Sequence, residues 1–294
     1  RLSTAMPLSM PMKPTQKSKA ADRRSPTGAR RSRRFISRPP GQLEISRISP
    51  VRALKRPEGR APLLVFGAHP DDIEFGCGAV IARETSVGRK AHFVVCSLGE
   101  AGSYGTPKLR KTEAKKAAEL LGATIEFVEL DGDAHLEIRT THTIKLAGIL
   151  RREKPGIVFA PSLGENQHPD HWRLGKMVRD AARLARFGGL KELRRQPPHV
   201  IGQLFFYAVT PEAEPRDISP VLVDVSDPKI IAAWTAAMAA HESQVSARNY
   251  IELQLTRSRL LGARAGIGHA ITLFPNDPLV LDSLAQLTRR ARRF

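Results

Sequence analysis

The chain has 294 residues, 41 % of them apolar, which is enough for one large α/β domain and excludes global disorder. No apolar run approaches the roughly 18 to 20 residues of a membrane span, and two cysteines, Cys77 and Cys96, cannot staple a small secreted fold. The net charge of +18 suggests a nucleic-acid binder, but residues 1–60 hold 16 Lys/Arg against 3 Asp/Glu, and the closing Arg-Arg-Ala-Arg-Arg adds four more cations. The body between them is therefore nearly neutral.

Residues 1–60 read as a disordered basic tail, rich in Pro, Ser and Arg and without a sustained period. An arm that touches nucleic acid or an anionic membrane is the sharper alternative, and an Arg/Ser-rich targeting peptide a third. A single catalytic domain is expected over 61–294. Short apolar runs at 63–66, 92–96, 124–130 and 157–160 read as strands, with two further strands at 201–209 and 220–225. Helical spacing marks 109–121, closed by Gly122, then 142–152, and an Ala-rich helix over about 228–247. Alternation at this rhythm predicts an α/β fold: a Rossmann-like, mostly parallel sheet with helices on both faces.

In such a sheet, ligands bind beyond the carboxyl ends of the strands. The first strand runs into His69-Pro70-Asp71-Asp72, and the loop after the fourth delivers His168-Pro169-Asp170-His171. Both clusters fall on the same edge. Hydrolytic zinc sites use three His or carboxylate ligands and keep a position for water. His69 and Asp72 can converge on one ion across the turn, with His171 as the third ligand. Asp71 is left beside the metal and can take a proton from water. His168 stands one helical turn from His171, so one ring can bind metal while the other faces substrate. Cys77, between Gly76 and Gly78, reads as a small packed residue. The remaining histidines, His241 and His269 among them, read as ordinary core or surface residues.

The stretch Ala68-His69-Pro70-Asp71-Asp72-Ile73-Glu74-Phe75-Gly76-Cys77-Gly78-Ala79 resembles the opening motif of the LmbE-like, or PIG-L, zinc deacetylases. Gln167-His168-Pro169-Asp170-His171 resembles their second motif, and 99–107 with Arg110 and Glu113 their substrate-side loop and helix. Residues 262–270 with Pro278-Leu279 resemble the closing segment of the bacillithiol-pathway branch. The resemblance implies a deacetylase of N-acetylglucosamine conjugates. It assigns Zn2+ (Fe2+ as the alternative ion) to His69, Asp72 and His171, the general base to Asp71 and oxyanion stabilisation to a protonated His168. It also implies that Asp170 tunes His168 and that Arg110 contacts the sugar. It departs from the family at His269, where an aromatic residue is usual, and in the basic head.

Arg110 and Asp133 are the candidates for the sugar hydroxyls. A malate aglycone would bring two carboxylates, for which Arg110 and Arg264 are the candidate partners. The expected protein is a cytoplasmic homo-oligomer acting on a small N-acetyl amino sugar conjugate. Three rivals remain: the same chemistry on another amide, such as an antibiotic or a lipid-linked sugar; an inactive binder using its basic ends; and a nucleotide-binding Rossmann protein. The last is disfavoured because carboxylates stand where a pyrophosphate-binding Gly-x-Gly-x-x-Gly turn would be.

Overall fold

The computed structural model describes residues 60–165, 168–246 and 249–287. The tail expected over 1–60 lies, but for Arg60, outside the described residues, as does the closing Arg cluster. The elements are β1 (Leu63–Gly67), α1 (Asp72–Ser86), β2 (Ala91–Val95), α2 (Pro107–Leu120), β3 (Thr124–Phe127), α3 (Thr140–Glu153), β4 (Ile157–Pro161) and α4 (Pro169–Leu184). There follow β5 (Gln203–Tyr207), β6 (Val221–Asp224), α5 (Pro228–Ala239), α6 (Glu242–Val245), α7 (Tyr250–Ala265) and β7 (Ala270–Pro275).

The seven strands form one sheet in the order β3-β2-β1-β4-β5-β7-β6. The first five strands of that order run parallel, and β7 lies antiparallel between β5 and β6. Alternate residues of β1 feed two cores. Leu63 and Val65 join α1, α2 and α5 on one face; Leu64 and Phe66 join α3 and α4 on the other. Trp234 fixes α5 on α1 by donating its Nε1–H to Glu74 O at 2.7 Å. The expected α/β sheet with helices on both faces is therefore the observed one.

Strand order reverses between β1 and β4. The chain leaves β1 toward β2 and β3, then returns through α3 to the other side of β1. This switch opens a crevice beyond the carboxyl ends of β1 and β4.

Two expectations shift. The strand expected over 124–130 ends at Phe127, and the helix expected over 228–247 stops at Ala239, with α6 as a separate turn. Residues 262–270, matched above only to a closing segment, are the end of α7, a turn at 266–269 and the first residue of β7.

Candidate active site

Each His-Pro-Asp motif is a strand-to-helix turn. The one after β4 starts α4 with Pro169 in its first turn, where a missing N–H costs nothing, and His168 caps the helix by accepting the Asp170 N–H on Nδ1 at 3.3 Å. The one after β1 starts α1 differently. Asp71 occupies the cap position at φ 127°, a region that side chains other than Gly rarely adopt, and makes no side-chain cap bond. Its carboxylate is thereby kept out of capping and lines the pocket instead.

The two turns bring three donors together. His69 Nδ1 stands 3.2 Å from His171 Nε2, and His171 Nε2 stands 3.0 Å from Asp72 Oδ1. Asp72 Oδ2 lies 3.5 Å from His69 Nδ1 and accepts the backbone N–H groups of Ala68 and His69, both at 2.9 Å. All three residues are buried. Ligand atoms about 2.0–2.1 Å from a tetrahedral ion stand about 3.3 Å apart, so these spacings match the edges of a zinc-type coordination sphere. Two imidazoles and one carboxylate are also the donor set of a hydrolytic metal site. The residues present fit the ion that the motifs imply.

A second group, His69, Asp133, His168 and Asp170, lies on the far side of the His69 ring. His69 Nε2 is 3.0 Å from Asp133 Oδ1 and 3.4 Å from Asp170 Oδ2, while His168 stands 3.9 Å from each carboxylate. Asp170 Oδ2 already accepts the Ala134 N–H at 2.8 Å, and His168 Nδ1 is taken by its cap bond. These carboxylates are better suited to orient a metal-binding imidazole from behind than to hold a second ion. Asp170 thus leans on His69 more closely than on His168, the residue it was expected to tune. A third group, His92, Glu126 and Glu153, has both its carboxylates bonded to Arg152.

Charge follows from this packing. Burial opposes the charge on His69, but Asp72, Asp133 and Asp170 hold its imidazolium well above the ordinary value of 6.5. Burial likewise opposes ionisation of Asp72, yet His171 and His69 hold that carboxyl well below its usual range. Asp71 goes the other way. Burial and the Asp72 charge push it up to about 6, against the pull of Arg110. His168 is lowered by burial and by the His69 and His171 charges. The lowered value favours the neutral ring, whereas the family resemblance implies a protonated one. The neutral ring still serves: with Nδ1 accepting from the backbone, Nε2 carries the proton.

Arg110 is buried and spent on the protein. It donates to Gly99 O at 2.8 Å and Pro70 O at 3.1 Å, pairs with Asp71 at 3.4 Å and stands 3.9 Å from Asp133. Gly99, at φ +71°, leaves the room this guanidinium fills, since a Cβ there would lie 2.0 Å from Arg110 Nη1. Asp133 accepts the Ala101 N–H at 3.2 Å besides facing His69. Both residues line the pocket, but as parts of its frame.

Arg264 is not at the site. It sits in the last turn of α7, whose first turns carry the pocket residues Tyr250 and Gln254. Fourteen residues of helix separate it from Tyr250, about 21 Å along the axis.

The cavity measures about 370 Å³, a small-ligand size. Its floor is His69, Asp71, Asp72, His168 and His171, and its outer wall includes Ser103, Tyr104, Thr210, Gln244, Tyr250 and Gln254. Sequence reasoning missed most of that wall, because nothing in residues 210–254 signals that they return to the end of β1.

Comparison with known proteins agrees with this geometry. A family model described as PIG-L, GlcNAc-PI de-N-acetylase, matches residues 64–182, which contain both motif turns. The chain is 29 % identical over 199 residues to diacetylchitobiose deacetylase of Thermococcus kodakarensis, covering 62 % of this chain and 69 % of that protein. It is 30 % identical over 140 residues to 4-oxalmesaconate hydratase of Pseudomonas putida, covering 44 % of this chain and about half, 54 %, of the hydratase. The conserved protein TT1542 of Thermus thermophilus superposes with a TM-score of 0.66 at 31 % identity, covering 75 % of this chain and 97 % of that structure. With the motif turns at the switch point and the family model spanning them, the chain belongs to the PIG-L family.

Proposed function

We propose that the chain is a metal-dependent N-deacetylase that hydrolyses the acetamide of an N-acetylglucosamine conjugate. The observation that carries this reading is the three-donor cradle of His69, Asp72 and His171 with an uncapped, high-pKa carboxylate, Asp71, on the same pocket wall. Zn2+ is the proposed ion, and the same donors suit Fe2+. Bound there, a divalent ion supplies Lewis-acid polarisation of the acetamide and a water acidic enough to react near neutral pH.

The chain's own residues do the rest. Asp71 takes a proton from the attacking water as the oxygen adds to the acetamide carbon. His168 donates its Nε2–H to the carbonyl oxygen as negative charge gathers there. Asp71 then returns its proton to the departing nitrogen, giving acetate and a free amino sugar. A carboxyl raised to about 6 suits both tasks near neutral pH. Asp133 and Asp170 hold the His69 ring in the tautomer whose Nδ1 faces the cradle.

The outer wall favours an uncharged aglycone. Among the described pocket residues Arg110 is the one guanidinium or ammonium group, and it is committed to Gly99, Pro70 and Asp71. The uncharged hydroxyl side chains of Ser103, Tyr104 and Thr210 line this wall and suit sugar hydroxyls. A second sugar or a polyol suits this wall better than malate does, and the deacetylase from T. kodakarensis is named for a disaccharide.

The hydratase relative supports a second reading, addition of water to an unsaturated carboxylate. The same committed arginine weighs against it. The test is to incubate the zinc-loaded protein with N,N′-diacetylchitobiose, an N-acetylglucosaminyl inositol, N-acetylglucosaminyl malate and 4-oxalmesaconate. Acetate release, fastest from an uncharged conjugate, is expected. Hydration of the unsaturated acid without acetate release from any sugar would replace the deacetylase reading.

A further inference from the structure

Among the described residues that line the cavity, Tyr104 carries the one exposed aromatic ring. It is 52 % exposed. Phe75, on the same cavity, is buried, and the half-buried Tyr250 packs against it with ring centroids 5.7 Å apart. The aromatic surface deeper in the cavity thus belongs to the fold, while that of Tyr104 stands open at the mouth.

The loop under this ring is anchored on both sides. Before it, the Ala101 N–H donates to Asp133 Oδ2 at 3.2 Å and the Gly102 N–H to Gly99 O at 3.1 Å. After it, Gly105 lies against Ser243, where a Cβ would stand 2.8 Å from Oγ, and Thr106 Oγ1 caps α2 by accepting the Leu109 N–H at 3.2 Å. Tyr104 O itself accepts from Gln244 Nε2 at 2.9 Å. None of these anchors uses the phenol ring. The backbone is fixed, and a Tyr side chain has two torsions left to lose, so ordering it against a ligand costs little.

A ring so placed fits one kind of aglycone. The face of an aromatic ring carries partial negative charge and attracts polarised C–H groups, and it buries apolar area against them. A polyhydroxylated saturated ring, a pyranose or a cyclitol, offers such C–H groups on its face and hydroxyls at its edge. Ser103 and Thr210 line the cavity with Tyr104 and suit that edge. An open-chain dicarboxylate has no such face. Resting on the deacetylase reading above, we propose that Tyr104 is a specificity-determining residue. Its ring stacks on the aglycone while N-acetylglucosamine occupies the floor, and it selects conjugates whose aglycone is a saturated polyol ring.

The test measures binding apart from turnover. Dissociation constants are taken by calorimetry for zinc-loaded Asp71→Asn, alone and combined with Tyr104→Ala or Tyr104→Phe. The ligands are N,N′-diacetylchitobiose, an N-acetylglucosaminyl inositol, N-acetylglucosaminyl malate and free N-acetylglucosamine. Gln244 holds residue 104 by its carbonyl, so both variants keep that anchor. The preference for at least one ring conjugate over the free sugar should fall about tenfold with Tyr104→Ala and change less than about twofold with Tyr104→Phe, while the preference for malate over the free sugar moves less than about twofold in either. The aglycone C–H protons of that conjugate should shift upfield on binding, and lose the shift with Tyr104→Ala. The conjugate that responds tells pyranose from cyclitol. Unchanged preferences, an equal loss for malate, or no binding of either ring conjugate would overturn the proposal. Acetate release by the wild type with unchanged preferences would strike the role of Tyr104 and leave the deacetylase reading. Selective loss of ring-conjugate binding, with no acetate released by the wild type, would strike that reading and leave Tyr104 as a sugar-stacking residue.

Discussion

Ser243 in α6 closes onto the buried carboxylate of Glu113 in α2. Its hydroxyl donates to Oε2 at 2.6 Å and its backbone N–H to Oε1 at 2.8 Å. The neighbouring Gln244 then reaches Tyr104 O at 2.9 Å, joining the two sides of the pocket mouth. Glu113→Ala leaves two donors without a partner, which should cost about 1–3 kcal/mol in chemical denaturation. It should also raise KM more than it lowers kcat, because the wall rather than the floor loosens. An equal loss in metal content would place Glu113 with the floor.

Asp71→Asn retains shape and the metal donors but cannot take a proton. Stoichiometric zinc with a kcat lower by about 10²–10⁴-fold is expected. A drop of less than tenfold with zinc retained would remove Asp71 from the role of base.

Asp133 faces the His69 ring at 3.0 Å rather than open pocket. Asp133→Asn should therefore weaken metal affinity about 10–100-fold, measured by chelator competition, with KM little changed in the metal-saturated protein. A raised KM at unchanged metal affinity would restore it to the sugar contacts.

His241, fully buried, sets its Nε2 3.5 Å from Glu74 Oε2. Burial lowers its pKa, but Glu74 and more distant carboxylates outweigh that and raise it above 6.5. A histidine raised in the fold stabilises fully below its unfolded value, and that contribution fades as pH climbs through the folded value. The urea midpoint of the wild type, minus that of His241→Gln, should fall as pH rises from about 6 upward. A flat difference would mean that the ring is neutral in the fold.

The parts that sequence reasoning found share one property: they are local. The runs before Gly67 and Pro161 end in residues that mark turns, and each motif packs its donors within four residues. Helix α7 was missed because its buried face is Gln254, Ser258, Leu261 and Gly262, mostly polar or small, so no apolar period betrays it. Gly262 packs against the backbone of Gly268, where a Cβ would lie 2.6 Å from its carbonyl oxygen. Arg110 and Asp133 line the pocket as expected, but their protein partners were not legible in the sequence. A charged residue near a site reads as a substrate contact until its protein partners are in view. His241 was set aside as a core histidine, and only the packing of α5 against α1 gives it Glu74 as a partner.

The backbone at Asp71 sets two kinds of fitness against each other. A non-glycine residue held at φ 127° stores strain on the order of 1–3 kcal/mol, and burying its carboxylate beside Asp72 adds repulsion. Glycine would relieve both, so Asp71→Gly should melt at a higher temperature than the wild type while turning over far more slowly. Selection for heat resistance alone would drift toward that substitution and discard the catalyst. Any thermostable descendant of this protein has to be sought with residue 71 held fixed.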